Sequence, residues 1–121
     1  MNIETIREYC LSLPLVTEDM AFGEEHLLVR VCGKIFGCLD LFQGEFVTLK
    51  SDPDYAVELR DRYAEIIPAW HWNKKYWNQV SLEGSIPDAL IKSLIRHSYG
   101  EVVKKLPARI KKEFPQILDI Q

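Results

Sequence analysis

The sequence predicts an α+β domain in which helices pack on one side of an antiparallel sheet. Apolar residues recur at helical spacing near the start of the chain and over 88–106, whereas residues 25–50 alternate in character between Gly-containing turns. The 121 residues are 47% hydrophobic and 27% charged, which suits one domain with its own core. We expect a single compact domain over 1–121, with a core at about 2–107, a basic and apolar tail at 108–121, and the order α-β-β-β-α-β-β-α.

The first helix is predicted over 2–13. Asn2 can cap its start, because an Asn side chain accepts hydrogen bonds from the first free backbone N–H groups. Pro14 disfavours helical geometry in the preceding residue and so ends the helix. Its buried stripe consists of Ile3, Ile6, Cys10 and Leu13. Residues 16–23 are expected to form a polar connection.

Three short strands are predicted next, over 25–31, 35–41 and 46–50. Each alternates between the two faces of a sheet, as a strand does. Cys32-Gly33-Lys34 and Gln43-Gly44 provide the tight turns between them. The three strands should therefore form an antiparallel meander.

A second helix is predicted over 53–63, because Asp52-Pro53 combines a capping side chain with a proline suited to the first helical position. Two further strands are expected over 66–72 and 76–82, around a turn at Asn73-Lys74-Lys75.

The last long helix is expected to begin at Ser85 and Asp88, which have the spacing of a capping box. It should run to about Leu106, with Gly100 as a weak point, before Pro107 ends it. The tail is expected to add one short helix.

Charge is unevenly distributed along the chain, whose net charge is −3. Residues 1–59 hold 4 basic and 11 acidic side chains, whereas residues 60–121 hold 11 basic and 7 acidic ones. This difference is compatible with a basic face opposite an acidic one, and such a face could meet phosphate. The alternative is that the charges only solvate the surface.

The three cysteines, Cys10, Cys32 and Cys38, are an odd number without a CxxC pair, which favours reduced thiols. The N-terminus lacks a basic start and an apolar segment, and no apolar run is long enough for a membrane span. We therefore expect a cytoplasmic protein with no membrane partner. No histidine follows a cysteine at zinc-finger spacing, so no metal site is predicted.

Residues 66–80 are the most distinctive segment, because they contain all three tryptophans of the chain. Flat rings beside Lys74 and Lys75 are suited to nucleic acid, since rings stack on bases while lysines meet phosphate. The same rings are equally suited to packing. Trp72 and Tyr76, for example, could form a cross-strand pair that fixes a hairpin.

This segment resembles the signature of the MmcQ/YjbR family, which is close to P-G-Y-H-M-N-K-K-H-W-N-T-V. The matching residues are Pro68, His71, Asn73, Lys74, Lys75, Trp77, Asn78 and Val80. The departures are Ala69, Trp70, Trp72, Tyr76 and Gln79. Shorter matches run from about residue 3 to 107, among them Leu13-Pro14, Phe22-Gly23, Gly33-Lys34, Asp52-Pro53 and Ser98-Tyr99. The resemblance implies a fold similar to the frataxin homologue CyaY and to secretion chaperones, and DNA binding through a double wing of hairpins.

The leading functional hypothesis is therefore a non-enzymatic DNA-binding protein that contacts phosphate without reading base sequence, because no recognition-helix motif is evident. The candidate nucleic-acid-binding residues are Lys34, Arg60, Arg62, His71, Asn73, Lys74, Lys75, Lys104 and Lys105, with Lys111 and Lys112 as further members of a positive face. We also expect His71 to hydrogen-bond the backbone at the hairpin, and Asn73 and Asn78 to brace the turn.

The alternative is a protein-interaction module that binds a peptide or a second subunit through its sheet and the aromatic surface near Trp70 and Trp72. An enzyme or metal carrier is a third reading, based on His71 and on an acidic N-terminal set. That set comprises Glu4, Glu8, Glu18, Asp19, Glu24 and Glu25. No Ser-His-Asp order, phosphate-binding Gly loop or HExxH motif supports it, so no catalytic residue, cofactor or metal is predicted.

Overall fold

Six antiparallel strands form one sheet in the order β1-β2-β3-β4-β6-β5 in the computed structural model, which describes residues 1–120. The strands are β1 Val16–Asp19, β2 His26–Val31, β3 Lys34–Asp40, β4 Phe46–Lys50, β5 Ile66–Pro68 and β6 Trp77–Ser81. The helices are α1 Ile3–Leu11, α2 Pro53–Arg62, α3 Asp88–Lys104 and α4 Ala108–Glu113, followed by a 3₁₀ turn over Pro115–Leu118.

The helices cover one face of the sheet and leave the other without a helical layer. Residues opposite one another in antiparallel strands share a face, so the register defines which side chains lie together. The helix-facing side carries Leu27, Val29, Leu39, Val47, Leu49 and Val80, which form a buried core with side chains of α1, α2 and α3. The α+β class with helices on one side is confirmed. Over residues 1–120 none of the helices has the length and apolar character needed to span a bilayer.

Two of the three predicted helix starts are confirmed. Asn2 accepts a hydrogen bond from the Thr5 backbone N–H at 2.8 Å, and Asp52 accepts from the N–H groups of Asp54 and Tyr55. The capping box at Ser85 is wrong, because the Ser85 N–H and hydroxyl both donate to the Glu65 carboxylate. α3 begins instead after Pro87, without a side-chain cap.

The expected polar connection over 16–23 is wrong in its first half, which forms β1. This edge strand buries little, and ion pairs to neighbouring elements hold it in place. Arg7 of α1 donates to Glu18, and Arg30 of β2 donates to Asp19 with an Nε–Oδ2 distance of 2.5 Å. The donated hydrogen bonds lower the pKa of both carboxyl groups.

The second hairpin is confirmed as a pair of strands, but its bounds are wrong. β5 ends at Pro68 and β6 begins at Trp77, with Pro68 opposite Asn78. Residues 69–76, expected to be mostly strand around a short turn, instead form a loop. This loop, called the 69–76 loop below, carries most of the distinctive aromatic segment.

The C-terminal part also differs in detail from the prediction. α3 runs through Gly100 without interruption and ends at Lys104, two residues before the expected Leu106. The tail forms α4 and a 3₁₀ turn rather than one helix, and Ile117 of that turn packs into the core. Gln121, the last residue of the predicted tail, lies outside the described residues.

One buried hydroxyl joins α3 to two strands of the sheet. Ser98 Oγ donates to the Phe36 carbonyl of β3 at 2.5 Å and accepts from the Lys50 N–H of β4 at 2.9 Å. Ser98 is fully buried, so water cannot replace either bond. The position of α3 over the sheet therefore depends on this side chain as well as on apolar packing.

We expect Ser98→Ala to lower the free energy of unfolding by about 2–4 kcal/mol, because the substitution leaves two backbone groups without partners. Urea unfolding followed by circular dichroism measures this change. Ser93→Ala is the matched control, since the Ser93 hydroxyl on the same helix makes no hydrogen bond within residues 1–120. Equal losses in the two variants would contradict the assigned role.

Candidate functional site

The antiparallel register gathers lysines at one end of the sheet. β2, β4 and β5 end there, and β3 and β6 begin there. The C-terminal end of α3 reaches the same region, where Lys105 lies beside Lys34 and Lys50. We call this region the lysine end. Its members are Lys34, Lys50, Lys74, Lys75 and Lys105. The strand ends on the opposite side carry or adjoin Glu24, Glu25, Asp40, Glu45, Glu65 and Glu83, which define the acidic end.

Contacts join the members of the lysine end in two groups. Lys34, Lys50 and Lys105 line one surface depression with Ile35, Val102 and Leu106. Lys50 Nζ also lies 5.7 Å from the centroid of the Tyr76 ring, and Lys75 Nζ lies 5.6 Å from the same centroid. Lys50 therefore connects the depression to the 69–76 loop. In that loop, Lys74 Nζ lies 4.3 Å from the Trp70 ring centroid.

Within residues 1–120, no lysine of the lysine end has a carboxylate oxygen within 4.0 Å. The predicted candidate Lys104 differs, since its ammonium pairs with Glu101 at 2.5 Å. The hydrogen bond to Glu101 raises the pKa of Lys104. Lys111 Nζ donates to the Lys104 carbonyl, so it is also engaged within the protein. Among the described residues, no carboxylate pairs with the positive charges of Lys34, Lys50, Lys74, Lys75 and Lys105.

The predicted candidates Arg60 and Arg62 do not join this group. Both lie in the last turn of α2, which leads into β5 at the acidic end of the sheet. Arg60 Nε donates to the Ala56 carbonyl at 3.1 Å, which holds the side chain along its own helix. The last turn of α2 therefore leads toward the acidic end, whereas the Arg60 side chain turns back to the Ala56 carbonyl, which Asn78 of β6 also contacts.

The 69–76 loop is stabilised by its own asparagine. Asn73 Oδ1 accepts from the Lys75 N–H at 3.1 Å, and the Asn73 carbonyl accepts from the N–H groups of Tyr76 and Trp77. The expected bracing role of Asn73 is confirmed. The same expectation for Asn78 is wrong, because its Nδ2 donates to the Ala56 carbonyl and so joins β6 to α2.

His71 is exposed in the 69–76 loop, and its ring makes no hydrogen bond within residues 1–120. The expected backbone hydrogen bond of His71 is therefore wrong. The expected pairing of Trp72 with Tyr76 is also wrong. Trp72 instead packs against Trp77, with ring centroids 4.5 Å apart, while Lys50 and Lys75 both lie near the Tyr76 ring.

A pocket of about 360 Å³ lies on the sheet face that the helices leave open, and we call it the aromatic pocket. The 69–76 loop folds back over the sheet to form one side of it, and Phe22 approaches Trp72 with a centroid distance of 5.9 Å. Its aromatic walls are Phe22, Phe46, Trp70 and Trp72. Its polar lining comprises His26, Asp40, Thr48, His71 and Gln79, with Cys38 beside them.

Asp40 is the buried acceptor of this pocket, with only 7% of its surface exposed. Its Oδ1 accepts from the backbone N–H of Phe42 at 2.9 Å and from that of Gln43 at 3.4 Å. Its Oδ2 accepts no hydrogen bond from residues 1–120. The backbone therefore orients this carboxylate through Oδ1, and Oδ2 keeps no hydrogen-bond partner among residues 1–120.

The pocket does not contain an activated cysteine. Burial raises the pKa of the Cys38 thiol to about 11, and the Asp40 charge acts in the same direction. Cys38 Sγ lies 4.0 Å from His26 Nδ1, yet the thiol stays protonated near neutral pH. Cys38 is therefore not poised as a nucleophile near neutral pH.

Part of the acidic N-terminal set is engaged in ion pairs. Glu18 and Asp19 pair with Arg7 and Arg30. In the part of the chain that the structure describes, no three His, Cys, Asp or Glu side chains are grouped so as to hold a metal ion.

The sequence reasoning missed Lys50 and the strand residues of the aromatic pocket. Lys50 ends β4 beside Lys34, which begins β3, and this shared position at the strand ends is the signal that could have identified it. His26, Asp40, Thr48 and Gln79 come from four strands. Only the register brings them together, so no local pattern indicated them.

The fold and site define a small α+β domain with a one-sided antiparallel sheet, a cationic end and an open-face pocket. The sequence profile of the YjbR family matches residues 11–101, and the chain belongs to this family. It is 36% identical to the uncharacterized protein YbdF of Escherichia coli O157:H7, over 90% of both chains. It is 29% identical to the uncharacterized protein YjbR of Escherichia coli K12, over 97% of this chain and all of the relative.

Two solved structures share this fold. A crystal structure of a Deinococcus radiodurans protein with the DUF419 domain is 32% identical, with a TM-score of 0.86, and the alignment covers 93% of this chain and 87% of that one. A Pseudomonas syringae protein is 24% identical, with a TM-score of 0.69 over 81% of this chain and 96% of its own, which shows the fold alone. Family membership and fold therefore agree. The names of YbdF and YjbR state no activity.

We expect Cys38 to resist alkylation at pH 8, because a thiol with a pKa of about 11 is ionised to only about one part in a thousand there. Iodoacetamide labelling followed by peptide mass spectrometry measures this, with the half-buried Cys32 as the internal reference. The Cys38 rate should rise about tenfold per pH unit up to pH 10. Rapid labelling of Cys38 at pH 7 would contradict the account.

Proposed function

We propose that this protein binds DNA through the lysine end, by contacts to phosphate that do not read base sequence. The observation that carries the proposal is that five lysines lie at one end of the sheet and have no carboxylate partner within residues 1–120, in an acidic protein. Lysine ammonium groups release condensed counterions when they neutralise phosphates, which gives salt-dependent affinity. The proposed function is binding without a chemical reaction.

The acidic end supports this proposal, because it disfavours approach of the protein to DNA with that end first. Negative charge at the far end of the sheet repels the phosphate backbone, while the lysine end attracts it. A molecule with a net charge of −3 can then approach DNA with one end first. The exposed Trp70 ring beside Lys74 adds a surface on which a base can stack.

We expect wild-type protein to bind a fluorescent duplex of about 20 base pairs at low salt, with affinity falling steeply as salt rises. Lys50→Ala/Lys105→Ala should weaken binding at least about tenfold and reduce the slope of log K against log salt by about 2. Fluorescence anisotropy measures both quantities.

Arg62→Ala/Lys92→Ala is the matched control, because it removes two exposed positive charges outside the lysine end. Equal weakening in the two double variants would remove the lysine end as the site. Lack of wild-type binding at protein concentrations of tens of micromolar would reject the DNA-binding function itself.

A second candidate function, self-association, is favoured by exposed apolar side chains around the mouth of the aromatic pocket. The loops over residues 20–25 and 41–45 meet there through a 2.8 Å hydrogen bond from the Leu41 N–H to the Glu25 carbonyl. Their exposed side chains, with that of Trp70, are Met20, Phe22, Leu41 and Phe42. Apolar groups clustered in this way are typical of interaction surfaces.

If two copies associate through this surface, light scattering should give twice the chain mass, and Phe42→Ala should return it to the monomer value. Phe42 is 72% exposed, so the substitution removes apolar surface without opening the core. Val57→Ala, at a 51% exposed site on α2, is the control. A monomer at every concentration tested would contradict this candidate.

A further inference from the structure

We propose that the aromatic pocket binds an unpaired nucleobase, a planar nitrogen heterocycle with N–H donors on its edge. If the base belongs to a nucleic-acid strand, the inference rests on the proposed function, because the lysine end would hold that strand. A free nucleoside has the same chemistry and is the other possible source. Three features of the pocket favour such a ligand: its shape, its hydrogen-bonding groups and its position.

The shape of the pocket favours a flat ring. A volume of about 360 Å³ lies at the small end of ligand sites and accommodates one ring system with its substituents. Trp70 is 63% exposed although it lines the pocket, so its ring remains available to a ligand. Lys74 Nζ also lies 4.3 Å from the centroid of this ring. Stacking on such rings tolerates every base.

The polar lining favours a ligand that donates hydrogen bonds. The Asp40 Oδ2 atom accepts no hydrogen bond from residues 1–120, so it is free to accept one from an N–H group of a ligand. A phosphate group placed there would meet like charge, so an anion is disfavoured inside the pocket. Thr48 on β4 and Gln79 on β6 also line the pocket, and each side chain can both donate and accept hydrogen bonds.

The position of the pocket connects it to the lysine end. Trp70 lines the pocket, and Lys74, which covers this ring, belongs to the lysine end. One loop therefore offers a stacking wall and a phosphate-binding group within a few residues. This arrangement suits single-stranded nucleic acid, in which the bases are unpaired and can turn away from their neighbours to stack on a protein ring. The pocket predicts a preference for single strands that lysines alone would not produce.

The test compares a single strand of about 12 deoxyadenosines with an abasic strand of the same length, by anisotropy and tryptophan fluorescence at low salt. We expect the strand with bases to bind about tenfold more tightly and to quench tryptophan fluorescence. Trp70→Ala should abolish this difference and leave abasic binding unchanged. Val57→Ala is the control, since this 51% exposed apolar side chain lies on α2 and does not line the pocket.

Asp40→Asn is the second variant, and it examines the polar lining without removing the turn. The side-chain oxygen of Asn can still accept from the Phe42 and Gln43 N–H groups, as Oδ1 does. The amide NH₂ of Asn then takes the position of Oδ2. The substitution exchanges an acceptor for a donor. We expect it to weaken the strand with bases severalfold and to leave the abasic strand unaffected.

Free deoxyadenosine separates the two sources of the base. Equal binding of both strands, with no quenching by the nucleoside, would overturn the pocket inference and leave the proposed function intact. Quenching by the nucleoside that Trp70→Ala removes, without binding of either strand, would support the pocket and reject the proposed function. Absence of all three interactions would overturn both.

Discussion

Antiparallel register determines both where charge gathers and which face of the sheet stays open. The turn at Lys34, the end of β4 at Lys50 and the loop with Lys74 and Lys75 are distant in sequence, yet the pairing of β3 with β4 and of β4 with β6 brings them to one end. The same pairing sends most of the strand-end carboxylates to the other end. A net charge of −3 conceals this separation, because net charge contains no information about position.

The two faces of the sheet differ in what packs on them. The helix-covered face holds the apolar core, and Ser98 joins α3 to it through two buried hydrogen bonds. The open face supports the aromatic pocket, whose wall is the 69–76 loop. Asn73 fixes the turn of this loop, and the packing of Trp72 on Trp77 holds it against the sheet. A rigid strand platform thus carries an irregular segment rich in aromatic and cationic side chains.

Periodicity and caps predicted the elements whose stability is local. Asn2 and Asp52 cap helices through neighbouring backbone groups, so a short stretch of sequence contains the whole interaction. β1 escaped prediction because Val16 is its only apolar residue and because Arg7 and Arg30, from other elements, hold its carboxylates. Ser85 had the spacing of a cap, but Glu65, a distant residue, takes both of its donors. The aromatic segment indicated a site, whereas the lining from Asp40 and Thr48 depends on register and could not be predicted.

The most direct test of the charge separation is a backbone amide NMR titration with a short single strand of DNA. The account predicts that shift changes concentrate at the lysine end and around the aromatic pocket, and that the last turn of α2, with Arg60 and Arg62, stays unperturbed. Changes centred on α2, or spread evenly over the surface, would contradict the central claim that strand register creates one phosphate-binding end.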